Sequence, residues 1–351
     1  MTAFLPPFCP YPACPSRAGE PFLWHREGCY LRRADGRRVS RFRCRTCQRR
    51  FSAQTFRLDF RLQKPHVNPA VLACLVSKVT FRQTARILRV DRKTVHRRLR
   101  LFGPALRELH QTLLRRGREH GGLFGTFSLD ELETYEHNRR LKPLTMPVLI
   151  HRPTRFVVHA EVGKLPARGG LSGRDVQRKQ AQGPRPSESR EKVRRCLEVL
   201  KEIHDPSELV QFVSDRKRLY GMLLKEQFPG RIGTHVQVPS GDARNTANPL
   251  FAINHTLASL RDHVSRLVRR TWAASKRGPE LMHHVWVWVA WRNYVRSLSN
   301  RLRRVSAGMM LGLLRRRLTP ADLLRWRWPA LSLSAADFSS YSASFSSLST
   351  T

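Results

Sequence analysis

The spacing of the apolar residues changes near residue 120. Before that point, in residues 65–120, the apolar positions predict paired helices. After it, short continuous apolar stretches predict buried strands. Two of these stretches carry an aspartate near their end: residues 123–132 contain Asp130, and residues 209–215 end at Asp215. The pattern therefore predicts a helical segment followed by an α/β segment with two carboxylates at strand ends.

The predicted elements of the α/β segment follow a defined order. Residues 164–191, rich in Gly, Arg, Ser and Pro, predict a flexible basic loop, and Asn248-Pro249 is a typical start of a long helix. The predicted order is strand 123–132, strand 145–151, strand 155–162, helix 192–204, strand 209–215, helix 218–227, strand 234–238 and the closing helix. This is the order of a ribonuclease-H-like core with a mixed sheet, in which Asp130 and Asp215 would lie on neighbouring strands.

A helix-turn-helix is predicted within residues 65–120. Two short helical patterns, Phe81–Leu88 and Arg92–Leu99, flank a three-residue turn, and Asp91 is placed to cap the second helix. The second helix carries polar and basic residues suited to contacts with the major groove and the DNA backbone. The candidate DNA-binding residues are Arg92, Lys93, Thr94, His96, Arg97 and Arg98. The alternative is an ordinary helical hairpin with a charged, solvated face.

Four of the seven cysteines form two short clusters in the first fifty residues. Two pairs of thiolates separated by about thirty residues can bind one tetrahedral Zn²⁺, which replaces a missing core in a small domain. The candidate ligands are Cys9, Cys14, Cys44 and Cys47, and Cys29 or His25 is an alternative for one of them. We therefore expect a zinc ribbon with one structural Zn²⁺, against the alternative of four unliganded cysteines.

The net charge of the chain indicates which class of partner it would bind. The 351 residues hold 65 Lys+Arg against 26 Asp+Glu, a net charge of +39 that is shared almost equally between residues 1–120 and 121–351. Such a surface is typical of proteins that bind the phosphate backbone of nucleic acids. The longest apolar run has seven residues, and the first residues do not form a secretory signal. We therefore expect a cytoplasmic protein without a membrane span.

Two carboxylates on neighbouring strands predict a site for Mg²⁺ or Mn²⁺. A third ligand should come from the closing helix, but no Glu occurs between Glu226 and Glu280. The candidates there are Asn254 and Asp262. In a strongly basic protein, such a site predicts phosphoryl transfer on nucleic acid by an enzyme that cuts or joins DNA.

Together, these motifs resemble those of bacterial insertion-sequence transposases of the DDE superfamily, in the branch with an N-terminal zinc ribbon and Asn in place of the third acid. The resemblance covers about residues 9–330. The family pattern has a basic residue seven positions after the third ligand, where Arg261 follows Asn254; seven residues are two helical turns, so both share a face. The matching segments are Arg41–Cys47 with Arg49–Ser52, the helix-turn-helix, Asp130–Glu136, Ser214–Lys217, and Asn254–Arg261 with Ser265–Trp272.

The resemblance implies an enzyme that binds the terminal repeats of an insertion sequence and catalyses DNA cleavage and strand transfer. Its catalytic residues would be Asp130, Asp215, Asn254 and Arg261, and the first three would hold two Mg²⁺ or Mn²⁺ ions per active site. Its partner would be double-stranded DNA, at the transposon ends and at the target, bound by a homodimer or larger oligomer at the bacterial nucleoid. The alternatives are a catalytically inactive, transposase-derived regulator that binds specific DNA, and a structural zinc protein that assembles other nucleoprotein components.

The chain accordingly divides into five predicted segments. The last of them is rich in Ser and Ala and contains neither Lys nor Arg, which is typical of a disordered tail. The segments are the zinc ribbon (1–60), the helix-turn-helix domain (61–120), the catalytic domain (121–305), a C-terminal helical extension (306–330) and the tail (331–351).

Overall fold

Three packed parts make up the structure, a computed structural model that describes residues 4–18, 21–239, 241–268 and 272–325. They are a small antiparallel sheet, a helical segment and a larger α/β part. The predicted tail, residues 331–351, lies outside the described residues. Within the described ranges, no helix combines the length and the apolar character that a membrane span requires.

The N-terminal part is built on a three-stranded antiparallel sheet. Its strands, in spatial order, are β1 (Trp24–Leu31), β2 (Arg38–Cys44) and β3 (Arg50–Ser52). The turn between β1 and β2 contains Gly36, whose φ of +65° favours glycine. The interior is small and aromatic, since Phe42, Phe51 and Phe56 pack beside buried cysteines. A core of this size is a weak source of stability by itself, so a bound metal would add substantially to it.

Three helices follow: α1 (Asn68–Leu75), α2 (Phe81–Ile87) and α3 (Arg92–Glu119). α2 begins with a capping box at Thr80, and the Asp91 carboxylate caps α3 by accepting a hydrogen bond from the Lys93 backbone nitrogen at 2.6 Å. α3 is 28 residues long and does not end at Leu99, because buried apolar residues continue along it as far as Leu114. It therefore reaches from the helical segment into the α/β part.

The α/β part contains a six-stranded mixed sheet. Its strands are β4 (Thr126–Tyr135), β5 (Pro143–His151), β6 (Phe156–Ala160), β7 (Gly163–Lys164), β8 (Val210–Asp215) and β9 (Ile232–Val238). They lie in the order β6-β5-β4-β8-β9, with β7 paired to β5. The pairs β4–β5 and β5–β6 are antiparallel, whereas β4–β8 and β8–β9 are parallel. The predicted α/β class and mixed sheet are confirmed.

Helices cover both faces of this sheet. On one face α3, α5 (Ser189–Ile203) and α6 (Arg218–Gln227) share a large apolar core with β4 and β8. On the other face α7 (Phe251–His263) and α8 (Gly278–Ala290) form a second core with β4, β5 and β6. Side chains alternate along β4, so Leu129 belongs to the first core and Leu132 to the second.

The basic loop predicted for residues 164–191 contains a helix, α4 (Gly173–Gln182). It begins after Ser172, whose Oγ accepts a hydrogen bond from the Asp175 backbone nitrogen at 3.3 Å. α4 buries none of its residues, so the sequence carries little apolar periodicity from which to predict it. The prediction of a wholly irregular loop is therefore wrong for these ten residues.

The end of the described chain returns to the helical segment. α9 (Ala307–Met310) and α10 (Pro320–Leu323) follow α8, and α10 packs against α1. The Leu58 backbone nitrogen donates a hydrogen bond to the Arg325 carbonyl oxygen at 3.3 Å. The leucines from this region that enter the core of α1 and α3 include Leu318, Leu323 and Leu324. The extension therefore completes an N-terminal core.

Candidate active site and metal site

The two aspartates predicted at strand ends lie on neighbouring strands; Asp215 ends β8 as predicted, but Asp130 lies in the middle of β4, which continues to Tyr135. β4 and β8 are parallel, and the last residues that they pair are Ser128 and Val213. Asp130 and Asp215 each follow two residues later, so both side chains project from the same face at the same end of the pair. Both residues line one cavity of about 400 Å³. The sheet therefore brings the two carboxylates together.

Asp130 has an unusual electrostatic environment. Burial raises the pKa of its carboxyl to about 6, and the negative charges of Asp215 and Glu131 act in the same direction, opposed by Arg244. Its Oδ1 accepts a hydrogen bond from the Glu131 backbone nitrogen at 2.7 Å. Asp215 Oδ1 accepts one from the Lys217 backbone nitrogen at 3.0 Å. Because the two carboxylates repel each other, a cation bound between them would be strongly favoured.

Glu131 is held on the opposite face of β4 by side chains from three other elements. Its carboxylate forms an ion pair with Lys217 and accepts a hydrogen bond from Tyr220 Oη at 3.0 Å. Ser189 Oγ and Thr145 Oγ1 each donate to it at 2.6 Å. Although burial opposes ionisation, the hydrogen bonds from Lys217, Ser189 and Thr145 hold the pKa of Glu131 below its usual value. Glu131 therefore stays charged and fixes Lys217 in the lining of the aspartate cavity.

A second cavity, of about 600 Å³, adjoins the first, since Glu133 and Arg168 line both. Arg168 follows β7, and its Nη1 donates to Glu133 Oε1 at 2.7 Å. Arg261, on α7, lines this second cavity together with Arg168. The predicted basic residue therefore lies beside the aspartate cavity rather than in its lining.

Both candidates for the third ligand lie on α7, which packs on the face of β4 from which Asp130 projects. Asn254 is half-buried on this helix, and it is outside the set of residues that line the aspartate cavity. Asp262, the alternative, is exposed, and its Oδ1 accepts a hydrogen bond from Lys78 Nζ at 3.3 Å. Because Asp262 faces the helical segment, Asn254 remains the better candidate.

The four cysteines predicted to bind zinc lie close together in the N-terminal part. Their Sγ atoms all lie within 4.8 Å of one another. The Sγ–Sγ distances of the pairs Cys9–Cys47 and Cys14–Cys44 are both 3.7 Å. A tetrahedral Zn²⁺ with Zn–S bonds of about 2.3 Å requires sulfur atoms about 3.8 Å apart. These four side chains can therefore hold a structural metal such as zinc.

Neither alternative zinc ligand joins this cluster. Cys29 lies on β1, where its Sγ accepts a hydrogen bond from Arg38 Nε at 2.8 Å. His25, on the same strand, has its Nε2 3.7 Å from Glu27 Oε1. Among the described residues, the four cysteines are the one group of three or more His, Cys, Asp or Glu that is close enough to hold a metal. The aspartate pair would therefore need a ligand of another kind, such as an amide oxygen.

The surface of α3 carries five of the six candidate DNA-binding residues. They are Arg92, Lys93, Thr94, His96 and Arg97, of which Thr94 and His96 are half-buried. His96 Nε2 lies 2.9 Å from Glu280 Oε2. Arg98 is buried, and its Nε donates to Asn68 Oδ1 at 2.7 Å. Arg98 therefore does not belong to the exposed face on which it was predicted, because a rotation of about 100° per residue turns it away from Arg97 and into the interior.

A scan against protein-family models and a search of curated proteins both give no match to the chain. Its function therefore has to be inferred from the paired aspartates, the four cysteines and the basic surface. Paired carboxylates favour metal-assisted chemistry, and the basic surface favours a nucleic-acid partner.

Proposed function

We propose that this protein is a DNA transposase that binds the terminal repeats of an insertion sequence and catalyses metal-dependent cleavage and strand transfer. One observation carries the proposal: Asp130 and Asp215 stand at equivalent positions on parallel neighbouring strands and line one cavity. The net charge of +39 makes nucleic acid the phosphoryl substrate that the surface favours.

The sheet supports a ribonuclease-H-like core. β4, β5 and β6 form an antiparallel series, and β8 and β9 continue the sheet in parallel on the other side of β4. The first strand is therefore central, and it lies beside the strand that carries the second aspartate. Helices α5 and α6 on one face and α7 on the other agree with the order expected from the sequence.

The donor atoms suit a hard cation. Asp130 and Asp215 offer carboxylate oxygens and Asn254 offers an amide oxygen, and Mg²⁺ and Mn²⁺ prefer oxygen ligands. The raised pKa of Asp130 agrees with this choice, because a buried carboxyl near a second carboxylate gains strongly from a bound cation. When bound there, two such ions would activate the attacking and leaving oxygens of the phosphodiester.

Three basic side chains fit the task of orienting the DNA strand. Lys217 lines the aspartate cavity and is paired with Glu131, and Arg168 lines both cavities and is paired with Glu133. Arg261 lines the second cavity. Cations that neighbouring carboxylates already hold in place lose less conformational entropy on binding phosphate. We assign to these three residues the positioning of the scissile strand.

The N-terminal half would select the DNA. α2 and α3 have the form of a helix-turn-helix, and the exposed Arg92, Lys93 and Arg97 suit contacts with the backbone and major groove. The four-cysteine cluster would hold one Zn²⁺ and so stabilise the small basic sheet. Because an insertion sequence has two ends, we infer that a homodimer or larger oligomer acts on DNA, at the nucleoid in the bacterial cytoplasm.

A cleavage and strand-transfer assay tests the proposal. The full-length protein is mixed with duplexes that carry candidate terminal repeats, with or without Mg²⁺ or Mn²⁺. We expect nicked and joined products from the wild type only when metal is present, and none from Asp130→Ala or Asp215→Ala, which should still bind DNA. Asp262→Ala is the control, because it removes an exposed aspartate outside the cavity.

Full activity in both aspartate variants would overturn the proposal. DNA binding by the wild type without cleavage under any metal condition would instead favour the inactive regulator.

A further inference from the structure

A third cavity, of about 740 Å³, lies where the helix-turn-helix meets the α/β part. Its lining comes from the first residues of α2 and α3, from the short turn Ser265–Leu267 after α7, and from the chain leading into α8. It shares no lining residue with the aspartate cavity, so it is a separate site. We call it the basic cavity. Its volume falls within the range of about 300–1,000 Å³ that is typical of ligand sites.

The lining of the basic cavity is strongly cationic. Seven Lys or Arg residues line it against one acid, Glu280. Glu280 is already engaged, because Arg100 Nε donates to its Oε1 at 2.6 Å and His96 Nε2 lies 2.9 Å from its Oε2. The exposed cations that form no ion pair with any residue in the described ranges are Arg82, Arg92, Lys93, Lys276 and Arg277. The basic cavity therefore attracts an anion that the protein itself does not supply.

Arg266 strengthens this attraction from a half-buried position. Its guanidinium lies over the Phe81 ring, 4.7 Å from the centroid. Burial lowers the pKa of Arg266 to about 10, so it stays charged at neutral pH and would be stabilised by a bound anion. α3 and α8, of 28 and 13 residues, both begin at this cavity, and their aligned peptide dipoles add positive potential there.

Trp272 adds an aromatic surface to the same cavity. Its side chain is fully exposed, which leaves both ring faces open in a site otherwise dominated by cations. A duplex backbone would occupy the cations and leave this ring without a partner. Unpaired nucleotides, in contrast, bind through phosphate contacts and through stacking of the base on an aromatic side chain.

We propose that the basic cavity binds an unpaired nucleotide of a DNA strand, with its phosphodiester against Lys276 and Arg277 and its base on Trp272. The inference rests on the proposed function in taking DNA as the strand. It goes further in assigning single-stranded DNA to the junction between the helix-turn-helix and the α/β part.

Fluorescence anisotropy with a labelled single-stranded oligonucleotide of about 12 nucleotides tests the inference, using the full-length protein over a series of salt concentrations. Trp272→Ala should weaken binding about tenfold, and Trp272→Phe should restore most of it, because stacking needs only an aromatic face. Lys276→Ala/Arg277→Ala should reduce the slope of log affinity against log salt by about 1.4, since each contact with a single strand contributes about 0.7.

The matched control is Lys201→Ala/Lys225→Ala, which removes two exposed charges from α5 and α6, outside the basic cavity. This control should keep the wild-type salt slope. The inference would be overturned if Trp272→Ala bound the oligonucleotide with wild-type affinity. It would also be overturned if the control lost as much of the salt slope as Lys276→Ala/Arg277→Ala. Equal competition by inorganic phosphate and by a deoxynucleoside monophosphate would also overturn it, because the base would then contribute nothing.

The binding assay involves no cleavage, so the two proposals fail separately. Loss of cleavage in Asp130→Ala with normal binding by Trp272→Ala would keep the transposase and overturn the nucleotide site. If Trp272→Ala weakens binding of the oligonucleotide but the wild type never cleaves DNA, the nucleotide site would stand and the transposase proposal would fail.

Discussion

Asp130 and Asp215 each stand two residues beyond Ser128 and Val213, the last residues paired between the parallel strands β4 and β8. Because side chains alternate along both strands, the two carboxylates project from one face of the sheet. Neither depends on a loop to reach the other, so the backbone pairing fixes their relative position. A site built on paired strands is held more precisely than one built on loops.

The raised pKa of Asp130 predicts an acid limit on DNA cleavage. As the pH falls through about 6, the carboxyl becomes protonated and loses its ability to bind a cation. The cleavage rate should therefore fall between about pH 7 and pH 5 at low Mg²⁺, and the midpoint should move to lower pH as Mg²⁺ is raised, because proton and metal compete. Nicking rates across pH at two metal concentrations measure this. A midpoint that does not depend on metal would contradict the prediction.

The same pKa predicts that Asp130→Asn stabilises the metal-free fold. The folded-state pKa of about 6 exceeds the ordinary value of 3.8, so the folded state binds more protons than the unfolded state between these values. The free energy of unfolding therefore decreases as the pH rises through that window. At pH 7–8, the neutral Asn should raise the free energy of unfolding by about 1–3 kcal/mol, and near pH 4 the difference should disappear.

Urea unfolding without divalent metal measures this stabilisation, with the exposed Asp262→Asn as the control. Equal stabilisation by Asp130→Asn at both pH values would show that the effect does not come from titration of the carboxyl.

Asn254→Ala should cause a large but incomplete loss of cleavage, because a neutral amide contributes less to cation binding than a carboxylate. Asp262→Ala should have a mild effect, since its side chain is 70% exposed and pairs with Lys78. Cleavage rates of both variants under one metal condition make the comparison. An essential Asp262 and a dispensable Asn254 would mean that the third ligand has been misassigned.

Arg97 and Arg98 are neighbours with opposite expected behaviour. Arg97→Ala should weaken DNA binding and reduce the salt slope by about one unit, with no effect on folding. Arg98→Ala removes the buried hydrogen bond to Asn68 and should lower the free energy of unfolding by about 1–3 kcal/mol. Anisotropy and urea unfolding of both variants separate the two effects. Wild-type stability of Arg98→Ala would count against its structural role.

Purified protein should hold about one Zn²⁺ per chain. Cys44→Ser should release the metal and unfold the small sheet, because Cys44 is fully buried among the four thiols, while the α/β part should still unfold cooperatively. Cys29→Ser is the matched control, since Cys29 lies outside the cluster. Elemental analysis and limited proteolysis measure the two effects. A reduced, chelator-free preparation without zinc would contradict the prediction.

Short-range patterns in the sequence predict much of the fold. The Asp91 cap depends on contacts within two residues, and β8 ends at Asp215 as its apolar run predicts, whereas β4 continues past Asp130 to Tyr135. The spacing of the cysteines likewise predicts a cluster that the structure contains. Each of these signals can be read without knowing which distant segments meet.

No such local pattern predicts the contacts between distant segments of the chain. Glu131 meets Tyr220 across 89 positions of the chain, and the burial of Arg98 depends on Asn68, 30 positions away. The helical spacing does place Arg98 on the face of the buried Val95 and Phe102, three positions before it and four after it, but it does not reveal the distant partner of the guanidinium. The basic cavity could not be predicted from the sequence either, because Trp272 and the first residues of α2 and α3 converge only in the folded chain.

The hydrogen bond between Leu58 and Arg325 has a consequence for biosynthesis. α1 leaves the ribosome early, yet leucines of the α10 region that fill its core are among the last described residues to be made. The apolar surface of the helical segment that these leucines cover therefore stays exposed until the whole α/β part has been translated. A chain cut short by a premature stop codon would lack this closure, so the helical segment would complete its core only after the α/β part has been made.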